Sequence, residues 1–484
     1  MHKKYFLLPF FILFLLQPLV AHPPAVEVRA VWLTTNYGLD WPKNRTSHET
    51  QKQELITLLD SLQAWNFNTL LFQVRARGEV FYRSTIEPMS SLIVPGKWNE
   101  SPFDPLAFAI EESHKRGMEC HAWMVTYPLG GNRHVNRLGN KSAVKMNPGI
   151  VKQFQREWFL DPGNPNTDEY LLSMVKELVS FYDIDGIHFD YIRYPDNRGR
   201  FPDDDTYRKH GGGQNRADWR RDNITRFVNK AYDLVKKTKP WVTVSSAPLG
   251  RYRALGNNGH GWTALEAVYQ DAGKWMKDGK HDAIFPMMYY KNHLFYPFVD
   301  DWLLHSNNRI VVPGLGPYQM IELNWDLEDI TNQVDYLRKQ PTHGQAYFRV
   351  ANLLDDTKGI LQPLRQYYRH PAKLPSMPWL SEHQPEKPTG LHAEQQPNGT
   401  FTLEWEAIKS DTPITYNVYR SDSTVVDFNN VQHLMATGLR QPRYEYNIEK
   451  EDQIYYYFIT VSDAYRTESE ASYPALFFHS DLEK

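Results

Sequence analysis

The chain has 484 residues, of which 41% are hydrophobic and 23% charged, as is typical of a globular protein long enough for two domains. Its formal net charge of −3 argues against a nucleic-acid-binding protein, because such proteins usually carry a basic surface. Cys120 is the only cysteine, which excludes an intramolecular disulfide and a thiolate zinc site.

Residues 1–21 are typical of a secretory signal peptide. Lys3 and Lys4 form the positive end, residues 5–16 form the apolar core, and Ala21 offers a cleavage point. The apolar run is short for a membrane span, no second one follows, and no cysteine is available for a lipid anchor. We therefore expect an exported protein, periplasmic or extracellular, that is not a lipoprotein and has no integral membrane span after cleavage.

Strand-like apolar runs alternate with amphipathic helical patterns over residues 28–370. The predicted strands are 28–34, 67–74, 118–124, 184–190, 241–246, 283–288, 310–315 and 344–349. The predicted helices are 51–65, 105–116, 168–182, 219–237, 264–277, 327–340 and 358–368, with a weaker one at 298–306. Eight such units predict an α/β fold, a (β/α)8 TIM barrel. A doubly wound open sheet is the alternative, although no glycine-rich nucleotide-binding motif follows the first strand.

Two insertions follow predicted strand ends, at residues 126–163 and 195–218. In a barrel they would lie on the face that holds active sites, where long loops are usually functional. The second insertion contains Asp203, Asp204 and Asp205, whose spacing does not match a calcium-binding loop. We interpret this acidic run as a solvated turn.

The pattern changes after the predicted barrel. Prolines recur over residues 371–389, which predicts a stiff, extended linker. Beyond it, short alternating strands are predicted at 401–405, 414–419, 444–446 and 454–462, with no helix between them. Residues 390–480 therefore read as a small all-β sandwich.

His188 and Asp190 stand two residues apart in the predicted fourth strand, so their side chains share one face. Asp190 ends the strand, and Arg193 and Tyr194 follow it. A carboxylate at the carboxyl end of a buried strand indicates an active site in α/β enzymes. The alternative is an Asx-turn, in which the aspartate caps the next segment.

The same parity places polar and aromatic side chains on the inner faces of several predicted strands. A barrel interior is ordinarily filled with branched aliphatic residues, and each buried polar group needs a hydrogen-bond partner. Convergence at one mouth therefore favours a ligand site over a satisfied internal network. The predicted inner-face residues are Gln73 and Arg75, Glu119, His121 and Trp123, His188 and Asp190, Met287 and Tyr289, and Gln345, Tyr347 and Arg349.

Glycoside hydrolysis suits this set, because it needs two carboxyl groups on either side of the scissile bond. Asp190 is the first, Glu79 is the predicted second, and Glu87 and Asp161 are further candidates. The sequence predicts an oligosaccharide or polysaccharide substrate and no cofactor. The predicted substrate-binding residues are Trp32, Gln73, Arg75, His121, Trp123, His188, Arg193, Tyr194, Tyr289 and Tyr290.

Two other functions stay open. A barrel that kept its groove but lacks the second carboxylate would be a non-catalytic glycan-binding protein. A metal-dependent hydrolase could instead use His121, His188 and Asp190 as ligands, although no His-Glu-x-x-His motif occurs.

Several motifs together resemble a bacterial family called glycosyl hydrolase-like, a former domain of unknown function with a TIM barrel akin to those of glycosidase clans. The motifs are Arg29-Ala30-Val31-Trp32-Leu33-Thr34, Phe72-Gln73-Val74-Arg75, Asp104-Pro105-Leu106, the run from His114 to Trp123, Asp161-Pro162-Gly163, Asp185-Gly186-Ile187-His188-Phe189-Asp190-Tyr191, Trp219-Arg220-Arg221-Asp222-Asn223-Ile224 and Ser246-Ala247-Pro248-Leu249-Gly250.

The resemblance implies a glycosidase of cell-envelope glycans, including peptidoglycan strands stripped of peptide. Many members have two adjacent aspartates in the fourth-strand motif, whereas here Tyr191 follows Asp190, which leaves one acidic candidate. The tail around Trp405, Tyr419 and Tyr457 is similar to a fibronectin type III module, a spacer or weak binding platform in secreted glycosidases.

Overall fold

A computed structural model describes residues 23–93, 102–195, 199–256, 261–397, 400–447 and 453–479. The predicted signal peptide, residues 1–21, lies outside these ranges. Across the described ranges, none of the helices combines the length and the apolar character that a bilayer span requires.

Eight parallel strands close into a barrel. The seventh strand is interrupted at residues 312–313, so that its first half pairs with the sixth strand and its second half with the eighth. The eighth strand returns to the first, with Ala346 opposite Ala30. This ring makes the TIM-like barrel that the alternating pattern predicted. The strands are Val28–Leu33, Thr69–Ala76, Glu119–Val125, Gly186–Asp190, Thr243–Ser246, Ala283–Ile284, Ile310–Val311 with Gly314–Leu315, and Gly344–Tyr347.

Helices surround the strands. Asn164 and Asn215 each cap the helix that follows, so the third and fourth predicted helices begin three residues earlier than expected. The predicted helix 264–277 is two short helices, the second capped by Asp271. The helices are His48–Ala64, Pro105–Lys115, Pro165–Phe181, Arg216–Thr238, Ala264–Ala267, Ala272–Lys277, Tyr296–Leu304, Gln319–Glu322, Leu327–Leu337, Val350–Leu354 and Leu361–Tyr367.

The barrel interior combines aliphatic side chains, such as Leu71 and Val312, with large aromatic ones. Trp32, Trp123 and Phe285 belong to the interior cluster, together with Ala346 of the eighth strand. The predicted parity of the eighth strand is therefore wrong. Tyr347 faces the helices instead, where its hydroxyl lies 2.8 Å from that of Tyr368, and the neighbouring polar residues Gln345 and Arg349 follow the same outward parity.

Both insertions are structured. Residues 126–163 form a three-stranded antiparallel sheet of Pro128–Gly131, Glu157–Leu160 and Val151–Phe154, with helices Asn132–Leu138 and Ala143–Met146. The interpretation of the acidic run as a solvated turn is wrong for Asp203 and for the turn, although Asp204 and Asp205 are exposed to solvent. Asp203 is buried and accepts two 2.8 Å hydrogen bonds from Arg220, while Asp204 begins the helix Asp204–His210. A carboxylate that holds a guanidinium in this way fixes the insertion to the barrel wall.

The C-terminal part is built from two antiparallel sheets that share an apolar cluster around Phe401, Trp405 and Ile459. The sequence missed its first, fourth and last strands, which are short or half-exposed. One sheet has the order His392–Gln395, Thr400–Glu404, Arg443–Asn447, and the other Leu434–Leu439, Thr415–Ser421, Gln453–Ser462, Ala475–His479.

This all-β module sits against the amino-terminal end of the barrel, opposite Asp190. Arg466 donates to both oxygens of Glu119, at 2.7 and 2.6 Å, and also donates to Thr243; these two residues begin the third and fifth barrel strands. The proline-rich segment packs there too, because Met377 belongs to the interior cluster of the barrel. The segment is thus part of the barrel floor rather than a free spacer.

Candidate active site

A cavity of about 780 Å³ lies at the carboxyl-terminal mouth of the barrel. Barrel strand ends form its floor, the antiparallel sheet of the first insertion forms one wall, and the loops after the later strands form the other. Nine aromatic side chains dominate this lining, and two arginines join them. It includes Gln73, Arg77, Trp123, Phe154, Glu157, Phe159, Asp190, Tyr191, Arg193, Trp262, Tyr289, Tyr290, Tyr318 and Phe348.

Asp190 is the last residue of the fourth barrel strand and faces this cavity. The chain turns immediately afterwards, with Tyr191 at φ 48°, and the Tyr191 N–H donates to the Asp190 carboxylate at 2.6 Å. The indole N–H of Trp123 donates to the other carboxylate oxygen at 3.2 Å. Both oxygens are therefore held in a fixed direction, and each keeps a lone pair for a ligand.

Burial raises the pKa of Asp190 to about 6. The positive charge of Arg193 and the hydrogen bonds from Tyr191 and Trp123 oppose the rise without cancelling it. Arg193 itself is buried, stacks on Tyr191 and Trp262 at 4.5 and 5.2 Å, and has no hydrogen-bond partner for its Nε among the described residues. A carboxyl group in this state can donate a proton near neutral pH.

His188 lies one layer below Asp190 and is fully buried. Its Nε2 accepts the indole N–H of Trp32 at 3.1 Å, so its Nδ1 carries the proton and donates to the Ser245 hydroxyl at 2.9 Å. Burial holds the pKa of His188 well below its ordinary value, so the ring is neutral. Both ring nitrogens are in use within the protein, which leaves neither for a metal ion.

Four of the other predicted substrate-binding residues also lie outside the cavity. Arg75 is paired with Glu87 at 2.6 and 2.7 Å and donates to the backbone of Thr126, which ties the second strand to the loop after the third. The remaining three are buried in the wall or floor: Trp32 under His188, His121 against Glu119 at 2.9 Å, and Tyr194 against Asn223 at 3.1 Å.

Gln73, Trp123, Arg193, Tyr289 and Tyr290 do line the cavity with Asp190. Gln73 accepts the backbone N–H groups of Thr35 and Asn36, so it also holds the loop after the first strand.

The carboxyl groups proposed as partners of Asp190 lie elsewhere. Glu79 is buried in a neighbouring cavity, where Arg137 donates to it at 2.9 Å. Asp161 is buried and accepts from the Thr206 hydroxyl at 2.5 Å, which ties the two insertions together. Glu87 is occupied by the Arg75 guanidinium.

Glu157 is a carboxylate that the sequence did not single out. It lines the Asp190 cavity from the first insertion, is half-buried, and lies 3.5 Å from the Arg77 guanidinium. Burial is the main cause that raises the pKa of the Tyr191 phenol; the charges of Asp190 and Glu157 add to the rise, and those of Arg193 and Arg77 oppose it. Its strand begins after Gln155 and Arg156, which both have positive φ and form a tight turn without glycine or asparagine. The usual hairpin signal is thus absent from the sequence.

A model of the family glycosyl hydrolase-like 10 matches residues 27–301. The chain is 30% identical over 476 residues to glycosyl hydrolase YngK of Bacillus subtilis, with 92% of each chain covered. It is 36% identical over 304 residues to glycosyl hydrolase DigH of Escherichia coli K12, which covers 56% of this chain and 69% of DigH.

Among solved structures, the glycoside hydrolase domain of PgaB (BpsB) from Bordetella bronchiseptica superposes with a TM-score of 0.52. That match covers 71% of this chain and 99% of the domain at 14% identity, so it bears on the fold alone.

Proposed function

The chain belongs to the glycosyl hydrolase-like 10 family, and from this premise we propose that it hydrolyses glycosidic bonds in a cell-envelope or extracellular polysaccharide, with Asp190 as the proton donor. The family gives a glycosidase-type function. The reaction, the residues and the substrate are our proposal.

One observation carries the assignment of the acid. Asp190 faces an open cavity with its pKa raised to about 6 by burial, and two N–H donors fix its orientation. A glycosidase acid must be protonated when the substrate binds and must point at the leaving oxygen. A capping aspartate in an Asx-turn would need only the backbone contact with Tyr191 and no cavity.

We propose Glu157 as the second carboxylate, either as the nucleophile or as the base that activates water. It is the other acidic side chain in the described lining of the Asp190 cavity, and water reaches its half-buried carboxylate. Glu79, the partner predicted from sequence, remains the competing candidate from the adjoining cavity, where Arg137 binds it. The two glutamates can be separated by matched substitutions.

The lining supports a carbohydrate ligand. Nine aromatic side chains border the cavity, and such rings provide stacking faces for sugars while buried polar groups orient the hydroxyls. We propose peptidoglycan strands stripped of peptide as the first substrate to try, because the sequence motifs resemble a family linked to cell-envelope glycans. Export, indicated by residues 1–21, would bring the protein to that polymer.

We propose further that the C-terminal module is of the fibronectin type III kind. Its three-stranded and four-stranded sheets enclose one apolar cluster, and each pairs strands in an antiparallel fashion.

A non-catalytic glycan-binding protein is the second candidate. The observation that favours it is the position of Glu157, which comes from an inserted hairpin rather than from a barrel strand end. If that carboxylate does not act on substrate, the cavity would bind a glycan without cleaving it.

The test is release of reducing ends from peptide-free peptidoglycan strands and a panel of polysaccharides. We expect the wild-type protein to cleave at least one, and Asp190→Asn to lower turnover by a factor on the order of a hundred or more. Asp233→Asn, on the outer helix, is the matched control because its side chain is exposed. No cleavage by the wild type, with glycan binding retained, would establish the binding protein instead.

Glu157→Gln and Glu79→Gln distinguish the second carboxylate. We expect a loss on the order of a hundredfold in turnover for Glu157→Gln and a loss below about tenfold for Glu79→Gln. The reverse order would assign the role to Glu79, as the sequence predicted.

A further inference from the structure

A second cavity, of about 810 Å³, adjoins the Asp190 cavity. The two share Asn36, Ala76, Arg77 and Glu157 in their linings, so they form one continuous groove across the barrel mouth. We call the second one the arginine cavity, because Arg45, Arg77, Arg133 and Arg137 all line it.

The charges in the arginine cavity do not balance. Arg137 is paired with Glu79 at 2.9 Å, and Arg77 with Glu157 at 3.5 Å. Arg45 and Arg133 are exposed and have no ion pair within the described part of the chain. Four guanidinium groups against two carboxylates leave a net charge of +2, since burial lowers the pKa of His134 and keeps that ring neutral at pH 7.

The cavity walls are braced from within. His134 lies 2.8 Å from the carbonyl of Arg77 through Nε2 and receives an Arg137 N–H at Nδ1, at 3.0 Å. The ring therefore links the turn after the second barrel strand to the helix Asn132–Leu138. Tyr37, with 59% of its surface exposed, stacks on Arg77 at 4.9 Å and presents a ring where the two cavities meet.

We propose that the arginine cavity is a subsite for a sugar that carries a carboxylate, so that the enzyme recognises an acidic glycan. The inference rests on the proposed glycosidase function. A polymer that places its scissile bond at Asp190 and runs along the groove would stack one sugar on Tyr37 and place the next beside Arg45 and Arg133.

The chemistry of the lining selects the ligand class. A guanidinium presents two parallel N–H donors that match the two oxygens of a planar carboxylate. A neutral polymer could only accept hydrogen bonds from Arg45 and Arg133 at its hydroxyl groups, whereas an acidic one would add charge-assisted pairing between their N–H donors and its carboxylate oxygens. A cationic sugar would be repelled.

The test compares peptide-free peptidoglycan strands with the same strands after their lactyl carboxyl groups have been reduced to alcohols. The two preparations differ only at this group, which is a carboxylate in one and a neutral hydroxymethyl group in the other. KM is measured with the wild-type protein, and binding is measured by calorimetry with Asp190→Asn, so that the readout does not depend on cleavage. We expect about tenfold weaker binding and higher KM for the reduced strands at low salt.

The double variant Arg45→Gln/Arg133→Gln should bring the ratio between the two preparations to about one, and Arg45→Lys/Arg133→Lys should restore part of it. Arg365→Gln/Lys176→Gln removes the same charge from exposed outer-helix positions and should keep the wild-type ratio. Equal affinity for the two preparations, or no affinity for either, overturns the inference. Acid-selective binding without cleavage would keep the inference and reject the hydrolase.

Discussion

At the residue scale, the state of Asp190 is a balance of opposing effects. Burial disfavours its ionised form, while Arg193 and two N–H donors favour it, and burial prevails, so that the pKa rises from 3.8 to about 6. A rise of this size corresponds to about 3 kcal/mol between the protonation states. The raised pKa of Asp190 is therefore caused by burial in the cavity wall and not by a neighbouring carboxylate.

The pH dependence of turnover should report this balance. Because Asp190 must be protonated to donate, activity should fall as the pH rises above about 6. Trp123→Phe removes one N–H that stabilises the ionised form, so the pKa of Asp190 should rise and the alkaline limb should move to higher pH. A pH–rate profile of kcat/KM for both proteins measures the shift. An unchanged limb in the variant would contradict the role of that hydrogen bond.

The stability of Asp190→Asn should depend on pH in a defined direction. The folded-state pKa of Asp190 exceeds its ordinary value of 3.8, so the wild type loses stability as the pH rises from about 4 through 6, and the amide variant does not. We expect the melting temperature of the variant, relative to wild type, to rise between about pH 4 and pH 6 and to level off at higher pH. The amide replaces one carboxylate oxygen by an NH2 group, so Trp123 or Tyr191 loses its acceptor. The gain in the free energy of unfolding is therefore below about 3 kcal/mol. A relative melting temperature that falls over this range would disprove the raised pKa.

At the element scale, the fourth barrel strand requires a glycine at its start. Gly186 points into the barrel, and a Cβ built there would lie 2.5 Å from Nδ1 of His121. His121 cannot move aside, because Glu119 holds its other nitrogen and Arg466 holds Glu119. A packed polar layer beneath the active site therefore leaves no room for a side chain at this position.

Gly186→Ala should destabilise the protein by about 1–3 kcal/mol through overpacking of that layer. Gly149→Ala is the matched control, because no atom lies within 4 Å of the added Cβ and the backbone there is not left-handed. Its stability should change by less than about 0.5 kcal/mol. Urea denaturation of the two variants gives both values. Equal midpoints would show that the His121 layer is loosely packed.

At the scale of the whole molecule, the all-β module is joined to the barrel by partly buried ion pairs. Arg466 is 13% exposed and Glu119 19% exposed, and Arg440 contacts Asp185 at 2.8 Å. Burial raises the pKa of Asp185, but the hydrogen bond and charge of His114 and the charge of Arg440 more than offset it and hold the value at about 2. Stability from Asp185 is thus present above pH 4 and is lost as the pH falls towards 2.

Arg466→Met should uncouple the two parts. It leaves Glu119 buried without its cation, which costs about 3–5 kcal/mol for pairs of this kind. We expect one calorimetric transition for the wild-type protein and two for the variant. Arg443→Met, which removes a half-exposed pair with Glu404 on the far sheet, should keep the single transition. A single, unshifted transition for Arg466→Met would show that the module contacts the barrel without stabilising it.

The sequence by itself determined the parts of this protein that follow from local pattern. The alternation of strands and helices predicted the barrel, the change of pattern after residue 370 predicted the all-β module, and Asp190 stood out because it ends a buried strand. These features depend on periodicity and on position within one element, which neighbouring residues reveal.

Only the tertiary structure decided which side chains share a cavity. Alternation gives the face of a strand but not the depth at which a residue lies. His121 and Trp32 were therefore predicted to bind substrate like Trp123, although they are buried below the cavity. Glu157 lies in the cavity wall because its insertion folds back over the barrel, and Arg466 reaches Glu119 across 347 residues. Such contacts join segments far apart in the chain, and their physical cause is packing between elements that no local pattern records.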